Sequence, residues 1–293
     1  MGKIIAVVGP TASGKTEYAI RLALETGAEI VSADSMQVYR HMDIGTAKPG
    51  MAERRGVAHH MIDVVEPDEP FSVAAYQKMA LSCIRGAASR GKPIIVVGGT
   101  GLYIQALAHN IAYPASSGDG QRRRQLEALA LERGNACLAD MLAAADPDSA
   151  ARIHANDTKR LIRAIEVYET TGVTLTEHIA RSRAEPPEYE FELRGLFVER
   201  AALCARIDRR VDKMIESGLP DEARRLFAQY GRGGTALQAI GYKEMADYLE
   251  GRCALGAAAE KIKLESRRYA KRQMTWFRRM GAVAWIDATD GPP

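Results

Sequence analysis

The clearest chemical signal in the chain is a glycine-rich stretch near its start, GPTASGKT at residues 9–16. It fits the pattern G-x-x-x-x-G-K-T, in which backbone N–H groups curl around a phosphate and the next helix points its positive end at it. Lys15 supplies a positive charge, and the Thr16 hydroxyl can bind Mg²⁺. The alternative is a glycine-rich turn without a ligand. The candidate phosphate-binding residues are Gly9, Pro10, Thr11, Ala12, Ser13, Gly14, Lys15 and Thr16.

A buried strand and a helix are needed to hold this loop. Ile4–Val8 is a short apolar run rich in β-branched residues, which predicts a parallel strand leading directly into the loop. Glu17–Thr26 has the apolar spacing of a helix, and Gly27 is placed to end it. The loop therefore joins a strand to a helix, which is the structural context that phosphate binding requires.

Two further strand ends belong beside the loop. Ala28–Ser32 predicts a second strand leading to Asp34, and Ile94–Val97 predicts a third, leading through two glycines to Thr100. Open α/β folds bind ligands at the carboxyl edge of the sheet, so we expect Asp34 and Thr100 to face the same cleft as the loop. Asp34 could instead be a strand-end carboxylate without a catalytic role, and Thr100 could simply cap the next helix.

The middle of the chain differs from its two ends. Residues 121–184 read as consecutive helices without a strand pattern between them, and Tyr113–Asp119 has the composition of a linker. A strand pattern returns at Glu190–Val198. We therefore predict an α/β fold with a P-loop NTPase-like parallel sheet core, formed by residues 1–113 and 189–293, and an inserted all-helical domain at 114–188.

Composition sets bounds on function. The chain has 293 residues, 46% of them hydrophobic, and a formal net charge of +3, as in an ordinary globular protein. Its four cysteines lie far apart, which excludes a zinc finger and predicts reduced thiols. No segment has the pattern of a signal peptide or a membrane span, so we expect a cytoplasmic protein that does not bind membranes.

Positive charge is concentrated in two places. One is the arginine triplet at residues 122–124, and the other is Lys261–Arg279, which contains eight basic residues and one acid. A helix over the second segment, pinned by one apolar face, would present a cationic surface to a polyanion. A merely solvated charged face is the alternative. The residues of the predicted apolar face are Ile262, Tyr269, Ala270, Trp276, Phe277 and Met280.

Short motifs occur along the chain from the N-terminus to about Trp276. They are GPTASGKT at 9–16, Asp34-Ser35, Tyr39, MDIGTAKP at 42–49, Gly98-Gly99-Thr100, Leu102-Tyr103, Asn156-Asp157, Arg160, Arg163-Ala164, Gly241-Tyr242 and the segment Lys271–Trp276. Together these motifs resemble the bacterial tRNA dimethylallyltransferase family, also called the tRNA isopentenyltransferase family. MDIGTAKP is far more specific than a phosphate-binding loop alone.

The resemblance implies an activity and a catalytic site. Members of this family transfer a dimethylallyl group from dimethylallyl diphosphate to the exocyclic N6 amine of the adenosine 3′-adjacent to the tRNA anticodon, and release diphosphate. On this basis Lys15, the loop amides and a Mg²⁺ ion on Thr16 or Ser13 stabilise the negative charge of the leaving group. Asp34 accepts the proton of the attacking amine, and Thr100 contacts the substrate.

The resemblance also implies contacts outside the loop. In the run Arg206–Arg210, Arg210 is expected to help hold the diphosphate, although Arg209 is adjacent and a solvated face is the alternative. The tRNA anticodon stem-loop is expected to contact the cleft, the basic helix and the helical domain, which would clamp it. The implied tRNA-binding residues are Asp34, Ser35, Met36, Gln37, Thr100, Arg123, Thr158, Lys159, Arg160, Leu161, Ile162, Gln238, Gly241, Lys243, Lys271, Arg272, Gln273, Trp276 and Arg278.

Three other functions fit parts of the pattern. A prenyltransferase acting on free adenine nucleotides would need neither the helical domain nor the basic helix. A P-loop kinase or ATPase, which would bind ATP, needs a strand ending in a Walker-B carboxylate, and only the strand leading to Asp34 offers one. A non-enzymatic RNA-binding module would not need the intact G-K-T sequence. The prediction is therefore a monomeric, Mg²⁺-dependent tRNA prenyltransferase.

Overall fold

A parallel β-sheet forms the centre of the structure, a computed structural model that describes residues 3–111, 113–114 and 120–292. Its strands are Ile4–Val8 (β1), Glu29–Ser32 (β2), His59–His60 (β3), Ile94–Gly98 (β4), Phe191–Phe197 (β5) and Val283–Asp287 (β6). Their order across the sheet is β3-β2-β4-β1-β5-β6, and all neighbouring strands are parallel. β1, β2 and β4 therefore end at the same edge of the sheet, and the α/β fold predicted from the sequence is confirmed.

Helices follow most of the strands. They are Lys15–Thr26 (α1), Met51–Arg54 (α2), Val73–Ser89 (α3), Gly101–Ala108 (α4), Gln121–Arg133 (α5), Asn135–Ala145 (α6), Pro147–Arg152 (α7), Thr158–Thr171 (α8), Leu175–Ala184 (α9), Arg200–Glu216 (α10), Leu219–Tyr230 (α11), Tyr242–Leu249 (α12) and Leu255–Arg279 (α13). Among the described residues, no helix combines the length and apolar character needed to cross a bilayer.

Clustering of contacts divides the chain into two compact units. We call the first the core unit; it comprises the chain up to Phe71, Tyr76–Ala108 and the chain from Tyr189 onward. The second, the helical unit, comprises Ser72–Ala75 and His109–Glu188 and contains α5 to α9. The linker predicted at Tyr113–Asp119 falls mostly on residues 115–119, which lie outside the described residues.

In the core unit, helices pack on the sheet through small and β-branched side chains. Ile20 of α1, Ile207 of α10 and Ala270 of α13 are buried in one cluster with Val7 and Ile95 of the central strands. Burying each of the larger side chains contributes about 1.5–3 kcal/mol. This packing holds α1, α10 and the C-terminal half of α13 against the sheet.

The helical unit has an apolar core of its own. Asp157 caps α8 as predicted, because its Oδ1 atom accepts the N–H group of Arg160 at 3.2 Å. Behind this cap, Leu161 and Ile162 are buried against leucines of α5 and α6. Leu161 and Ile162 are thus core residues, which corrects the expectation that their side chains contact tRNA.

One helix boundary differs clearly from the prediction. The basic helix α13 begins at Leu255 and not at Lys261. Its first turns carry Ala258 and Ala259, which are buried and extend the packed face toward the N-terminus. The helix predicted over the basic segment is thus confirmed, and it extends beyond that segment toward the N-terminus.

Candidate phosphate-binding site

The loop at residues 9–16 connects β1 to α1, as predicted. Gly14, at the N-terminus of α1, has a φ angle of 88°, a left-handed conformation that glycine adopts without strain. The half-buried Lys15 donates from Nζ to the carbonyl oxygen of Pro10 at 3.3 Å, so its side chain folds back over the loop. The loop and the first turn of α1 thus direct N–H groups and positive charge to one place.

A close contact between two strand ends places Thr100. Gly98, the last residue of β4, lies so near the carbonyl of Ala33 that a Cβ atom on residue 98 would be 2.1 Å from its oxygen. The N–H group of Thr100 donates to the same oxygen at 3.1 Å. The Thr100 hydroxyl accepts the N–H group of Ser35 at 2.9 Å and does not line the cavity described below. Within the described residues, the Thr100 hydroxyl therefore bonds to Ser35 and holds its backbone.

Asp34 lies at the end of β2, half-buried in the cleft. Its Oδ1 atom accepts the N–H groups of Met36 at 2.9 Å and Gln37 at 3.4 Å, and within the described residues Oδ2 accepts no hydrogen bond. These contacts orient the carboxylate while leaving one oxygen available to a ligand.

Arg210, and not its neighbour, faces the loop. Its guanidinium donates to the Thr11 hydroxyl at 3.2 Å and to the Thr46 carbonyl oxygen at 3.4 Å, whereas Arg209 is exposed. Arg206 donates to two carbonyl groups of the segment that follows β6 and supports that segment. Of these two adjacent arginines, Arg210 is thus the one whose side chain lies at the loop, and its contact with diphosphate stays a prediction.

The side chain of Gln273 links α13 to the loop. Its Oε1 atom accepts the N–H group of Thr11 at 2.8 Å, and its Nε2 atom donates to the carbonyl oxygen of Gly99 at 2.9 Å. Gln273 is among the residues that the family resemblance implies for tRNA binding. The structure instead buries its amide and uses both polar atoms to hold backbone groups, since a buried amide needs hydrogen-bond partners.

The charges of the site perturb one another. Burial and the positive charge of Arg210 lower the pKa of Lys15 to about 8, and the carboxylate of Asp34 opposes this only in part. Burial also lowers the pKa of Arg210. Arg210 therefore repels Lys15 more strongly than Asp34 attracts it, and an anion such as phosphate would relieve this repulsion.

The loop opens into a cavity of about 730 Å³, within the range of roughly 300–1,000 Å³ usual for ligand sites. Its lining includes the charged and hydroxyl groups of Lys15, Thr16, Asp34 and Arg210. It also includes aliphatic side chains that were not predicted from the sequence. Three of them flank Arg210 at the spacing of one helix face, a signal that could have found them. These aliphatic residues are Ile207, Val211, Met214, Ile240 and Ile262.

Thr16 and Ser13 differ as candidate Mg²⁺ ligands. Thr16 lines the cavity, whereas Ser13 does not, and the Ser13 hydroxyl is fully buried and forms no hydrogen bond in the described part of the chain. Thr16 is therefore the better placed of the two predicted ligands. No group of three His, Cys, Asp or Glu side chains among the described residues could hold a metal. A Mg²⁺ ion would therefore depend on Thr16 and on ligand phosphates, as Mg²⁺ often does.

The basic helix α13 carries two kinds of cation. Those in its middle pair with acids, and those near its C-terminal end form no ion pair within the described residues. The paired residues are Lys261, Lys263, Arg267 and Arg268. We call the other set, Lys271, Arg272, Arg278 and Arg279, the unpaired cations of α13; all four are exposed.

The apolar face predicted for α13 is correct only in part. Ile262, Ala270 and Phe277 are buried, but Trp276 remains 36% exposed. Its indole lies over Gly101, where a Cβ atom would be 2.2 Å from Cδ1. The Trp276 indole thus packs on the first residue of α4 and remains partly exposed to solvent.

The remaining predicted tRNA-binding residues differ in whether their side chains already have an ion-pair or hydrogen-bond partner. In the helical unit, Arg123 pairs with Glu166 at 2.6 Å, Thr158 donates to Asn135, Arg160 pairs with Asp157 and Lys159 is exposed. In the core unit, Lys243 lies 3.5 Å from Glu244 and outside the cavity. The predicted residues that line the cavity are Asp34, Ser35, Met36, Gln37, Gln238, Gly241, Arg272 and Gln273.

The parallel sheet and the loop between β1 and α1 define a P-loop α/β protein. Residues 37–280 match the family described as IPP transferase, and the chain belongs to this family. It is 49% identical over 290 residues to the tRNA dimethylallyltransferase of Bacillus velezensis, covering 99% of this chain and 91% of that relative. It is also 49% identical over 288 residues to the tRNA dimethylallyltransferase of Geobacillus thermodenitrificans, covering 98% and 91%. The resemblance seen in the sequence is confirmed.

Solved structures show the same fold. The tRNA isopentenylpyrophosphate transferase from Bacillus halodurans superposes with a TM-score of 0.73 at 45% identity, covering 99% of this chain and 91% of that one. A eukaryotic dimethylallyltransferase acting on tRNA superposes with a TM-score of 0.83 at 31% identity, covering 99% and 75%.

The contacts of Arg210 predict a contrast between adjacent arginines. Arg210→Ala should weaken the binding of inorganic diphosphate about 10- to 100-fold, because it removes a charged donor from the loop. Arg209→Ala, which removes an exposed side chain of the same charge, should change the affinity less than about twofold. Isothermal titration calorimetry measures both. Equal losses in the two variants would contradict the assignment of Arg210.

The lowered pKa of Lys15 predicts that the binding of dimethylallyl diphosphate, whose phosphate groups lose their last proton at about pH 6, depends on pH. In the free protein Lys15 is mostly protonated at about pH 7 and mostly neutral at about pH 9, so affinity should fall as pH rises through about 8. The bound ligand stabilises the ammonium, so binding near pH 8 should take up a proton. Calorimetry in buffers of different ionisation enthalpy detects this proton, and binding without proton uptake would argue against the shift.

Proposed function

We propose that this chain transfers a dimethylallyl group from dimethylallyl diphosphate to the N6 amine of the adenosine 3′-adjacent to a tRNA anticodon, releasing diphosphate. The observation that carries the proposal is a single cavity lined by both charged and aliphatic side chains. Lys15 and Arg210 suit a diphosphate, while the aliphatic wall suits a short hydrocarbon. The names of the similar proteins, tRNA dimethylallyltransferases, support the same activity.

In the proposed reaction, the bond between adenine N6 and C1 of the dimethylallyl group forms as the bond between C1 and the diphosphate oxygen breaks. The electron pair of the broken bond leaves with the diphosphate, where Lys15 and Arg210 stabilise the growing negative charge. The proton of the amine passes to Asp34, whose Oδ2 atom is free to accept it. Thr100 acts through the Ser35 backbone and positions this end of β2.

A Mg²⁺ ion fits the polar groups that line the cavity beside Lys15. The Thr16 hydroxyl would hold it together with oxygens of the diphosphate, and the ion would help neutralise the leaving group. Asp34 could bind the same ion, so its role as a base is a separate proposal that needs its own test.

The tRNA partner can contact exposed residues of each unit. We propose that the anticodon stem-loop contacts the unpaired cations of α13 and Trp276 in the core unit, and exposed residues such as Lys159 in the helical unit. Cations without acidic neighbours can exchange bulk counterions for RNA phosphates, and an exposed indole can stack on a base. We further propose that the protein works as a monomer in the cytoplasm.

A kinase or ATPase is less consistent with the sheet. P-loop NTPases hold Mg²⁺ with a Walker-B carboxylate at the end of a strand. β4 lies next to β1 but ends in Gly98, followed by Gly99 and Thr100, so it carries no carboxylate there. Asp34, two residues beyond the end of β2, lines the cavity, and the proposed transfer uses its carboxylate as a base.

The decisive experiment is a transfer assay. Incubation with labelled dimethylallyl diphosphate, Mg²⁺ and tRNA lacking the modification should put label on adenosine of the tRNA, and AMP offered instead of tRNA should stay unlabelled. In the same assay, Asp34→Asn should lower turnover by about 10²–10⁴-fold, the usual contribution of a general base. Its affinity for diphosphate should stay within a few-fold, because Asn keeps the contact to Met36.

Each failure in this assay has a distinct meaning. No label on tRNA would overturn the proposed function, and label on AMP would indicate a prenyltransferase of free nucleotides. Near-normal turnover by Asp34→Asn would remove only the general-base role.

The unequal charges of α13 predict unequal effects on tRNA affinity. Replacing Arg272 and Arg278 by Ala should weaken tRNA binding and reduce the slope of log affinity against log salt by about 1–2, since two phosphate contacts are lost. Replacing Lys261 and Arg268 by Ala changes the net charge equally but removes cations already paired with acids. Filter binding at several salt concentrations compares the two. Equal slopes in both double variants would contradict the role of the unpaired cations.

A further inference from the structure

A buried acid outside the cavity holds one of the cavity walls. Glu222, in the first turn of α11, is 3% exposed. Its Oε2 atom accepts the N–H groups of Asp43 at 3.1 Å and Ile44 at 2.8 Å. Its Oε1 atom accepts the N–H group of Gly45 at 3.0 Å and the hydroxyl of Tyr242 at 2.7 Å. One carboxylate thus gathers three consecutive backbone amides and a tyrosine.

This arrangement suits a carboxylate specifically. A buried carboxylate is costly unless its oxygens are hydrogen-bonded, and here all four partners are donors. Burial, followed by the charge of Glu222, raises the pKa of Tyr242, which keeps its hydroxyl protonated and able to donate. The first turn of α11 adds the favourable effect of a helix N-terminus on negative charge.

The segment that Glu222 holds forms part of the cavity. Gly45, Thr46 and Ala47 line it, and their backbone meets two polar side chains of the site. Arg210 donates to the carbonyl of Thr46 at 3.4 Å, and Gln37 donates to that of Ala47 at 3.4 Å. Ala47 has a φ angle of 46°, a strained conformation that persists only where the surroundings hold it.

We infer that Glu222 is a positioning residue for the transfer reaction. By fixing the backbone of Asp43–Gly45, it sets the place of the Thr46 carbonyl and, through that carbonyl, the direction of the Arg210 guanidinium toward the diphosphate. Glu222 itself touches neither substrate nor reacting atoms. The inference rests on the proposed function and adds a residue to its diphosphate site.

The central test is Glu222→Gln in the labelled transfer assay. Whichever way the new amide is turned, its NH₂ group faces at least one backbone N–H group, so the segment must move. The KM for dimethylallyl diphosphate should rise about tenfold or more, which corresponds to about 1.4 kcal/mol, while the KM for tRNA should change less than about twofold. An unchanged KM for dimethylallyl diphosphate in the active variant would overturn the inference. Absence of transfer by the natural chain would instead overturn the proposed function.

Two further variants guard against a general loss of stability. Tyr242→Phe removes one donor, keeps the three backbone bonds and should raise the same KM by about two- to threefold. This milder variant tests the inference even if Glu222→Gln does not fold, and a KM equal to that of the natural chain would count against it. Asp146→Asn is the matched control: Asp146 is also buried and accepts the N–H groups of Ser149 at 3.0 Å and Thr176 at 3.3 Å, within the helical unit.

Asp146→Asn should lower the melting temperature but leave the KM for dimethylallyl diphosphate unchanged. A similar KM increase in this control would mean that any buried carboxylate produces the effect, and would overturn the inference. A double-mutant cycle with Arg210→Ala tests the route: if Glu222 acts through Arg210, the two effects on KM should be less than multiplicative. Fully multiplicative effects would overturn that route.

Discussion

Two cations held beside one cavity are the constraint that the rest of the site serves. Lys15 comes from the loop after β1, and Arg210 from a helix far along the chain, yet the structure holds both half-buried beside the same cavity. Burial first, and the charge of Arg210 second, lower the pKa of Lys15. Functional sites commonly carry such a local conflict, because the folded chain keeps in place what a ligand will later neutralise.

The backbone around these cations is held by a few polar side chains, of which Gln273 and Glu222 are buried and Thr100 is half-buried. Gln273 fixes the phosphate-binding loop, Thr100 fixes the end of β2, and Glu222 fixes the segment that meets Arg210. Each of them bonds to backbone amides, whose positions depend little on neighbouring side-chain rotamers. Pre-organisation of this kind lets a site stabilise charge without first having to rearrange.

Sequence reasoning found the parts of the site that follow from local pattern. Asp34 and Thr100 were placed at the sheet edge because parallel strands end together, and Arg210 could have been separated from Arg209 by the helix face that it shares with Ile207. The contacts of Gln273 and Glu222 could not be predicted in this way. Their partners lie 262 and up to 179 residues away in the chain, so no spacing rule connects them. Leu161 and Ile162 show the opposite error. The family resemblance implied that they bind tRNA, whereas both side chains are buried in the core of the helical unit.

The side-chain amide of Gln273 also links α13 to the phosphate-binding loop. A shift of this helix breaks two hydrogen bonds, one to the loop and one to the end of β4. The helix that bears the unpaired cations is therefore energetically coupled to the groups that hold phosphate. By thermodynamic reciprocity, if RNA bound to this helix changes the affinity for a phosphate-bearing ligand, that ligand changes the affinity for RNA by the same factor.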